Sequence, residues 1–156
     1  MSKTLRIVFV CSGNICRSPL AEGLARQLFA EAKIPAVVIS AGTLGLNGRS
    51  AATHTVTTAA EIGVDLTRHR SQGVNIALMR MADRIVVMAP RHEDELLRSD
   101  RSLAPKIVRI WEYARAPGEP ALSHIPDPVG KDIETFRHAR DLIQTALNAW
   151  IKTMRA

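Results

Sequence analysis

Residues 8–25 read VFVCSGNICRSPLAEGLA, and two different patterns meet inside them. The apolar run that begins at Leu5 stops at Cys11. It is continuous and rich in β-branched side chains, as a strand buried on both faces of a parallel sheet must be. Beyond Arg17, Leu20, Leu24 and Leu28 recur every four residues, and Ala21, Ala25, Phe29 and Ala32 widen the same stripe. That is the spacing of a helix with one buried face. The stretch therefore reads as strand, loop and helix. Cys11 stands at the carboxyl end of the strand, where open α/β sheets hold their ligands.

The rest of the chain repeats the alternation. Residues 36–40 (AVVIS), 84–88 (RIVVM) and 106–111 (KIVRIW) are further short apolar runs. Between them, residues 50–64 read as a helix stopped near Gly63, residues 75–82 as a short helix, and residues 91–99 as one that follows Pro90. Ile133, Phe136, Ile143, Leu147, Trp150, Ile151 and Met154 mark one face of a long last helix that starts at Asp132. Such a stripe is core packing. Pro, Gly and Ser gather in residues 114–130, a long loop of the kind where function concentrates. No repeat or linker divides the chain. The expectation is one α/β domain over residues 1–156, with a doubly wound, four-stranded parallel sheet flanked by helices.

Composition narrows the function. A length of 156 residues suits one sizeable core. No apolar run is long enough to span a membrane, and the run before Cys11 is too short for a signal-peptide core. A cytoplasmic protein with no membrane partner is expected. The net charge is +6, but basic and acidic residues interleave in RHEDELLRSDR at residues 91–101, and aromatics are only 4% of the chain. Stacking on bases is poorly served, so no nucleic-acid partner is expected; a positive surface also steers small anions inward. Cys11 and Cys16, five apart, make neither a disulfide scaffold nor a C-x-x-C site. The five histidines form no H-E-x-x-H pair, so neither metal nor cofactor is expected.

The loop itself carries the chemistry. Ser18 and Pro19 suit a helix start, Ser as cap and Pro in the first position. Amides of residues 12–17 facing inward, with the helix dipole behind them, would cradle an anion. Gly13 permits a sharp turn and Asn14 tolerates a left-handed one. The Gly-Lys-Ser/Thr ending of a nucleotide-binding loop is missing. In its place are the Cys11 thiol at the base and the Arg17 guanidinium, whose planar fork matches two oxygens of a tetrahedral oxyanion. Such surroundings favour a thiolate. A Cys11 that only packs would leave Gly13, Asn14, Arg17 and Ser18 unexplained in one turn. Cys16 has two readings: it packs, or it traps an oxidised Cys11 as a disulfide.

VCSGNICRSP resembles the C-x-x-G-N-x-C-R-S loop of the low-molecular-weight protein tyrosine phosphatase family. ISAGT at residues 39–43, LTRHRSQ at 66–72, ADRIVVM at 82–88 and PDP at 126–128 follow in that family's order and spacing. The resemblance implies that Cys11 attacks phosphorus and forms a phosphocysteine, and that Arg17 binds two equatorial oxygens. Ser18 would donate to the Cys11 sulfur. Ser12, Gly13, Asn14, Ile15, Cys16 and Ser18 would form the phosphate-binding loop, held in shape by Asn14, Ser40 and His69. Asp127 would be the general acid, pre-positioned between Pro126 and Pro128. The implied partners are a phosphorylated protein or peptide and an inorganic phosphate or other oxyanion in the loop.

The chain departs from the family at the cleft. Aromatics expected there are replaced by Leu44, Leu46, Val129 and Gly130. DPVG at residues 127–130 looks closer to a branch that removes phosphate from phosphoarginine, yet that branch has Thr where this loop has Ile15. Ile15 suits a phenyl ring. Phosphotyrosine is therefore the first expectation and phosphoarginine the alternative. The related arsenate reductases need cysteines beyond Cys16, and the chain has none. A binding module without turnover would not need Cys11, Arg17 and Asp127 together.

Overall fold

The structure, a computed structural model, describes residues 3–155. Met1, Ser2 and Ala156, the ends of the expected domain, lie outside the described residues. In β1 (Leu5–Cys11), Ile7 to Cys11 are all buried. A strand with no exposed side must lie between neighbours and beneath helices on both faces. The sheet is parallel, in the order β2 (Ala36–Gly42), β1, β3 (Arg84–Val87), β4 (Ile107–Arg109). Its register sets Cys11 beside Gly42 and Val10 beside Val87.

The chain moves outward from β1 to β2, then returns to the other side of β1 as β3. α1 (Arg17–Glu31) packs on α5 (Ile133–Lys152), and α2 (Thr53–Ala60) also packs on α5. α4 (Pro90–Ser99) packs on β3 and on the 3-10 helix Arg101–Lys106. α3 (Ile76–Met81) precedes β3 and is capped by the Asn75 side chain. The reversal between β1 and β3 opens a crevice at their carboxyl ends. Under α1 and α5, Trp150 meets Phe9 and Phe29 edge-on, with ring centroids 6.4 and 6.1 Å apart, the geometry that aromatic quadrupoles favour. No helix among the described residues is long and apolar enough to cross a membrane.

Several boundaries differ from the sequence reading, and three of the differences have a physical cause that bears on the site. The helix expected over 50–64 is shorter, because Ala52 N–H donates to Ile15 O (2.9 Å) and ties the preceding residues to the Cys11–Arg17 loop. It ends at Ala60 and closes through Gly63 at φ +80°. The last strand ends at Arg109, because Ile110–Tyr113 winds into a 3-10 helix that buries Ile110 and Trp111 and packs on α5. α1 begins at Arg17, ahead of the expected Ser18–Pro19 start.

Candidate active site

After Cys11 the chain bends through residues 12–16, and Asn14 takes φ +56°. The bend leans on the β2 side of the sheet: Thr43 N–H donates to Cys11 O and Leu44 N–H to Ser12 O, both at 3.0 Å. A Cβ on Gly42 would stand 2.6 Å from Ser12 O and 2.9 Å from Asn14 N. Only glycine admits so close an approach.

Cys16 occupies the cap position of α1 and makes no side-chain cap bond. Ser18, expected as the cap, is the second helical residue, and its hydroxyl is turned onto the Cys11 sulfur. Pro19 is still tolerated, because the first-turn amides of a helix have no intrahelical acceptor. α5 and α3, by contrast, are capped by Asp132 and Asn75. Among the described residues, the N–H groups of residues 13–18 find no acceptor. These orphan donors, with the dipole of α1 behind them, suit an oxyanion.

One buried amide gives the hydrogen bonds of the loop their direction. Asn14 Nδ2 donates to Ser18 Oγ (2.8 Å) and to Ser40 Oγ (2.9 Å). Asn14 Oδ1 accepts from Gln72 N–H at 2.9 Å, which fixes the amide's orientation. Ser40 then passes its hydrogen to Glu22 Oε1 (2.6 Å). Ser18 Oγ lies 2.9 Å from Cys11 Sγ. Ser18 Oγ accepts from Asn14, and among the described residues its own hydrogen has no acceptor besides the sulfur, so it is directed there. His69 Nε2 is 2.7 Å from the Asn14 carbonyl; a carbonyl only accepts, so the ring donates. Gln72 Nε2 closes the set on Ser40 O at 2.9 Å.

Arg17 is only 4% exposed. Its Nη1 donates to Ile125 O at 2.8 Å, and its Nη2 is 3.6 Å from Asp127 Oδ2. Ile125 N–H is in turn held by Met88 O, at the end of β3 (2.8 Å). The Asp127 side chain is 45% exposed. Its Oδ1 accepts from Val129 N–H at 3.1 Å, the local turn that aspartate side chains favour. Pro128 beside it is buried. Thus the loop at 114–130 delivers its carboxylate to the crevice through two main-chain anchors.

Cys11 and Cys16 are both buried and both free. Burial pushes the Cys16 thiol up to about 11, which keeps it protonated. Gly13 and Ile15 are half-buried, while Leu44, beside Ser12, and Val129, beside Asp127, are exposed apolar residues. The structure brings Cys11, Ser12, Asn14, Arg17, Ser18, Ser40, His69 and Asp127 into one constellation. It adds four residues that the sequence reading missed: Glu22, Gly42, Gln72 and His92. Glu22 left a local signal as a charged residue beside the apolar stripe of α1, and Gly42 and Gln72 lie inside the motifs ISAGT and LTRHRSQ, whereas His92 left none.

The family model described as low molecular weight phosphotyrosine protein phosphatase matches residues 6–156. The chain belongs to that family. A relative from Ralstonia nicotianae, named a probable low molecular weight protein-tyrosine-phosphatase EpsP, is 35% identical over 151 residues, 96% of each chain. The solved structure of Vibrio vulnificus Wzb in complex with benzylphosphonate superposes with a TM-score of 0.85 at 32% identity, covering 97% of this chain and 99% of that one. A protein-arginine-phosphatase from Geobacillus stearothermophilus is 29% identical over 144 residues, 92% of this chain and 91% of the relative. The low molecular weight phosphatase fold is thus shared by proteins named for two different phosphoamino acids.

Proposed function

We propose that this low molecular weight phosphatase hydrolyses phosphotyrosine in protein substrates through a phosphocysteine on Cys11. The phosphate dianion sits against the N–H groups of residues 13–18, and the Arg17 guanidinium takes two of its oxygens. The Cys11 sulfur attacks phosphorus in line. As the S–P bond forms, the bond to the phenolic oxygen breaks, and the Asp127 carboxyl proton passes to the leaving oxygen. Water then attacks phosphorus and gives its proton to the Asp127 carboxylate. The S–P bond breaks, and inorganic phosphate and the thiolate are released. The cradle donors and Arg17 stabilise charge as it spreads over the equatorial oxygens.

The observation that carries this reading is the directed chain from Asn14 through Ser18 to Cys11 Sγ. A hydroxyl whose hydrogen is pinned on sulfur stabilises negative charge there and makes sulfur a better leaving group in the second step. Packing alone has no use for such a donor. A nucleophilic thiol needs a reducing compartment, so we assign the enzyme to the cytoplasm, as one catalytic domain.

Ile15 supports the choice of phosphotyrosine, since its apolar side chain beside the cradle suits a phenyl ring. Val129 and Gly130 after the acid, together with the Geobacillus relative, support phosphoarginine as the second reading. The test compares phosphotyrosine and phosphoarginine peptides in EDTA, with wild type, Cys11→Ser and Ile15→Thr. Wild type prefers phosphotyrosine, Cys11→Ser turns over neither, and Ile15→Thr moves the ratio toward phosphoarginine. Unchanged turnover in Cys11→Ser overturns the mechanism, and a wild-type preference for phosphoarginine overturns the substrate.

A further inference from the structure

His92 takes no part in the steps above, yet its side chain is fully buried in the first turn of α4, at the crevice between β1 and β3. Its Nε2 lies 3.0 Å from the Oγ of Ser12, the residue that follows the nucleophile. Its Nδ1 is buried and has no partner among the described residues. Together these facts set the direction of the bond. A ring with its hydrogen on Nδ1 would strand a buried N–H, which native structures rarely do. A ring with its hydrogen on Nε2 strands only a lone pair, which is tolerated more often. Burial, helped by the positive charges of Arg17 and Arg91, holds the imidazole neutral, down at about 3, so no second hydrogen is present. Nε2–H therefore donates and Ser12 Oγ accepts.

The Ser12 hydroxyl is left with its own hydrogen to place. Among the described residues, Ser12 Oγ has no partner besides His92. The Ser12 carbonyl is engaged on the opposite side, by Leu44 N–H of the β2 loop. The hydroxyl thus stands on the α4 side of the loop, next in sequence to the unpaired amides of residues 13–18.

We infer that His92 is a positioning residue that acts through Ser12: by donating to Ser12 Oγ, it turns the Ser12 hydroxyl into a side-chain donor to a non-bridging oxygen of the bound phosphoryl group. The inference rests on the phosphatase reading of the cradle. No proton is transferred and no bond is made or broken. The pair supplies one more oriented dipole to the cradle, and such dipoles act most strongly where charge develops.

Tungstate affinity, measured by titration calorimetry, tests this without relying on turnover, and p-nitrophenyl phosphate turnover is followed in the same variants. Ser12→Ala weakens tungstate about tenfold, the loss of roughly one hydrogen bond to a charged oxygen. His92→Leu does the same, and the double variant is no weaker than either single one. His92→Gln, which keeps an amide N–H in reach of Ser12 Oγ, stays near wild type. kcat falls in step with tungstate affinity. Wild-type affinity in Ser12→Ala, or losses that multiply in the double variant, overturn the inference. A purely structural His92 would shift the urea midpoint in both His92 variants and leave Ser12→Ala affinity intact. If His92→Leu fails to fold, Ser12→Ala and His92→Gln decide alone. Tungstate binding with this Ser12 dependence but no turnover would refute the phosphatase reading and keep the inference; a wild type that binds no tungstate refutes both.

Discussion

Replacing Asn14 tests the reasoning behind the cradle most directly. Its side chain is buried and makes three hydrogen bonds, to Ser18 Oγ, to Ser40 Oγ and from the part-buried Gln72 N–H. Asn14→Ala removes all three and strands the Gln72 amide. A buried polar group left unpaired costs about 1–3 kcal/mol. The backbone stays at φ +56°, where a residue with a Cβ and no local hydrogen bond pays roughly another 1 kcal/mol. The expected loss is about 2–4 kcal/mol, with a fall in Tm of about 2–4 °C for each kcal/mol in a chain of this size. Asn14→Gly carries the same hydrogen-bond loss without the conformational penalty, so it should recover only about 1 kcal/mol. Activity should fall in both, because Ser18 no longer has a donor to fix its own hydrogen on Cys11. Urea unfolding with linear extrapolation reads the first quantity, and p-nitrophenyl phosphate turnover reads the second. Asn14→Ala within about 1 kcal/mol of wild type would refute the network argument. Full recovery of stability and turnover in Asn14→Gly would show that only the backbone conformation mattered.

Three further perturbations probe other parts of the molecule. Asp127→Ala should slow phenyl phosphate by about 10²–10⁴-fold and p-nitrophenyl phosphate much less, since a good leaving group needs little proton donation; equal losses on both would remove Asp127 from the acid role. Gly42→Ala should lower both stability and oxyanion affinity, because the new methyl meets the Ser12 carbonyl and the Asn14 amide, which are main-chain atoms with nowhere to go; an unchanged urea midpoint would contradict that contact. His92 is neutral in the fold down to about pH 3 but titrates near 6.5 in the unfolded chain. As pH drops from about 6.5 toward 3, the unfolded chain takes up a proton that the native one refuses. Stability should therefore fall there by up to about 1.4 kcal/mol per pH unit, while above 6.5 the contribution is complete. The difference between wild type and His92→Gln across a pH series of urea unfolding isolates this slope, and parallel curves would dismiss it.

Much of the architecture can be read from local pattern, because periodicity is a local property. The buried run ending at Cys11, the four-residue spacing of Leu20, Leu24 and Leu28, and the stripe ending in Trp150 each name an element without knowledge of its neighbours. The site is legible where chemistry is compressed into one turn, as between Cys11 and Ser18. Cap chemistry misled at Ser18, because a serine near a helix start has two uses and only the position of the Cys11 sulfur decides between them. Glu22, Gln72 and His92 were missed for a different reason. Gln72 reaches Asn14 across 58 residues and His92 reaches Ser12 across 80, so even where a motif such as LTRHRSQ marks the segment, local pattern does not name the contact. Gly42 is a similar case: its role is a distance between two backbones that meet only after the sheet has formed.

The way the acid is suspended has a practical outcome. Ile125 is clamped between Met88 O and Arg17, whereas residues 115–121 are exposed and Gly118 sits at φ +87° with open space around it. Residues 115–121 can be lengthened, labelled or exchanged while Asp127 keeps its station, for an entropic cost of only about 0.6 kcal/mol per doubling of the arm. That makes the tip around Gly118 the natural graft point for a fluorophore or an immobilising tether, and a segment whose length can drift among descendants of one ancestral catalyst.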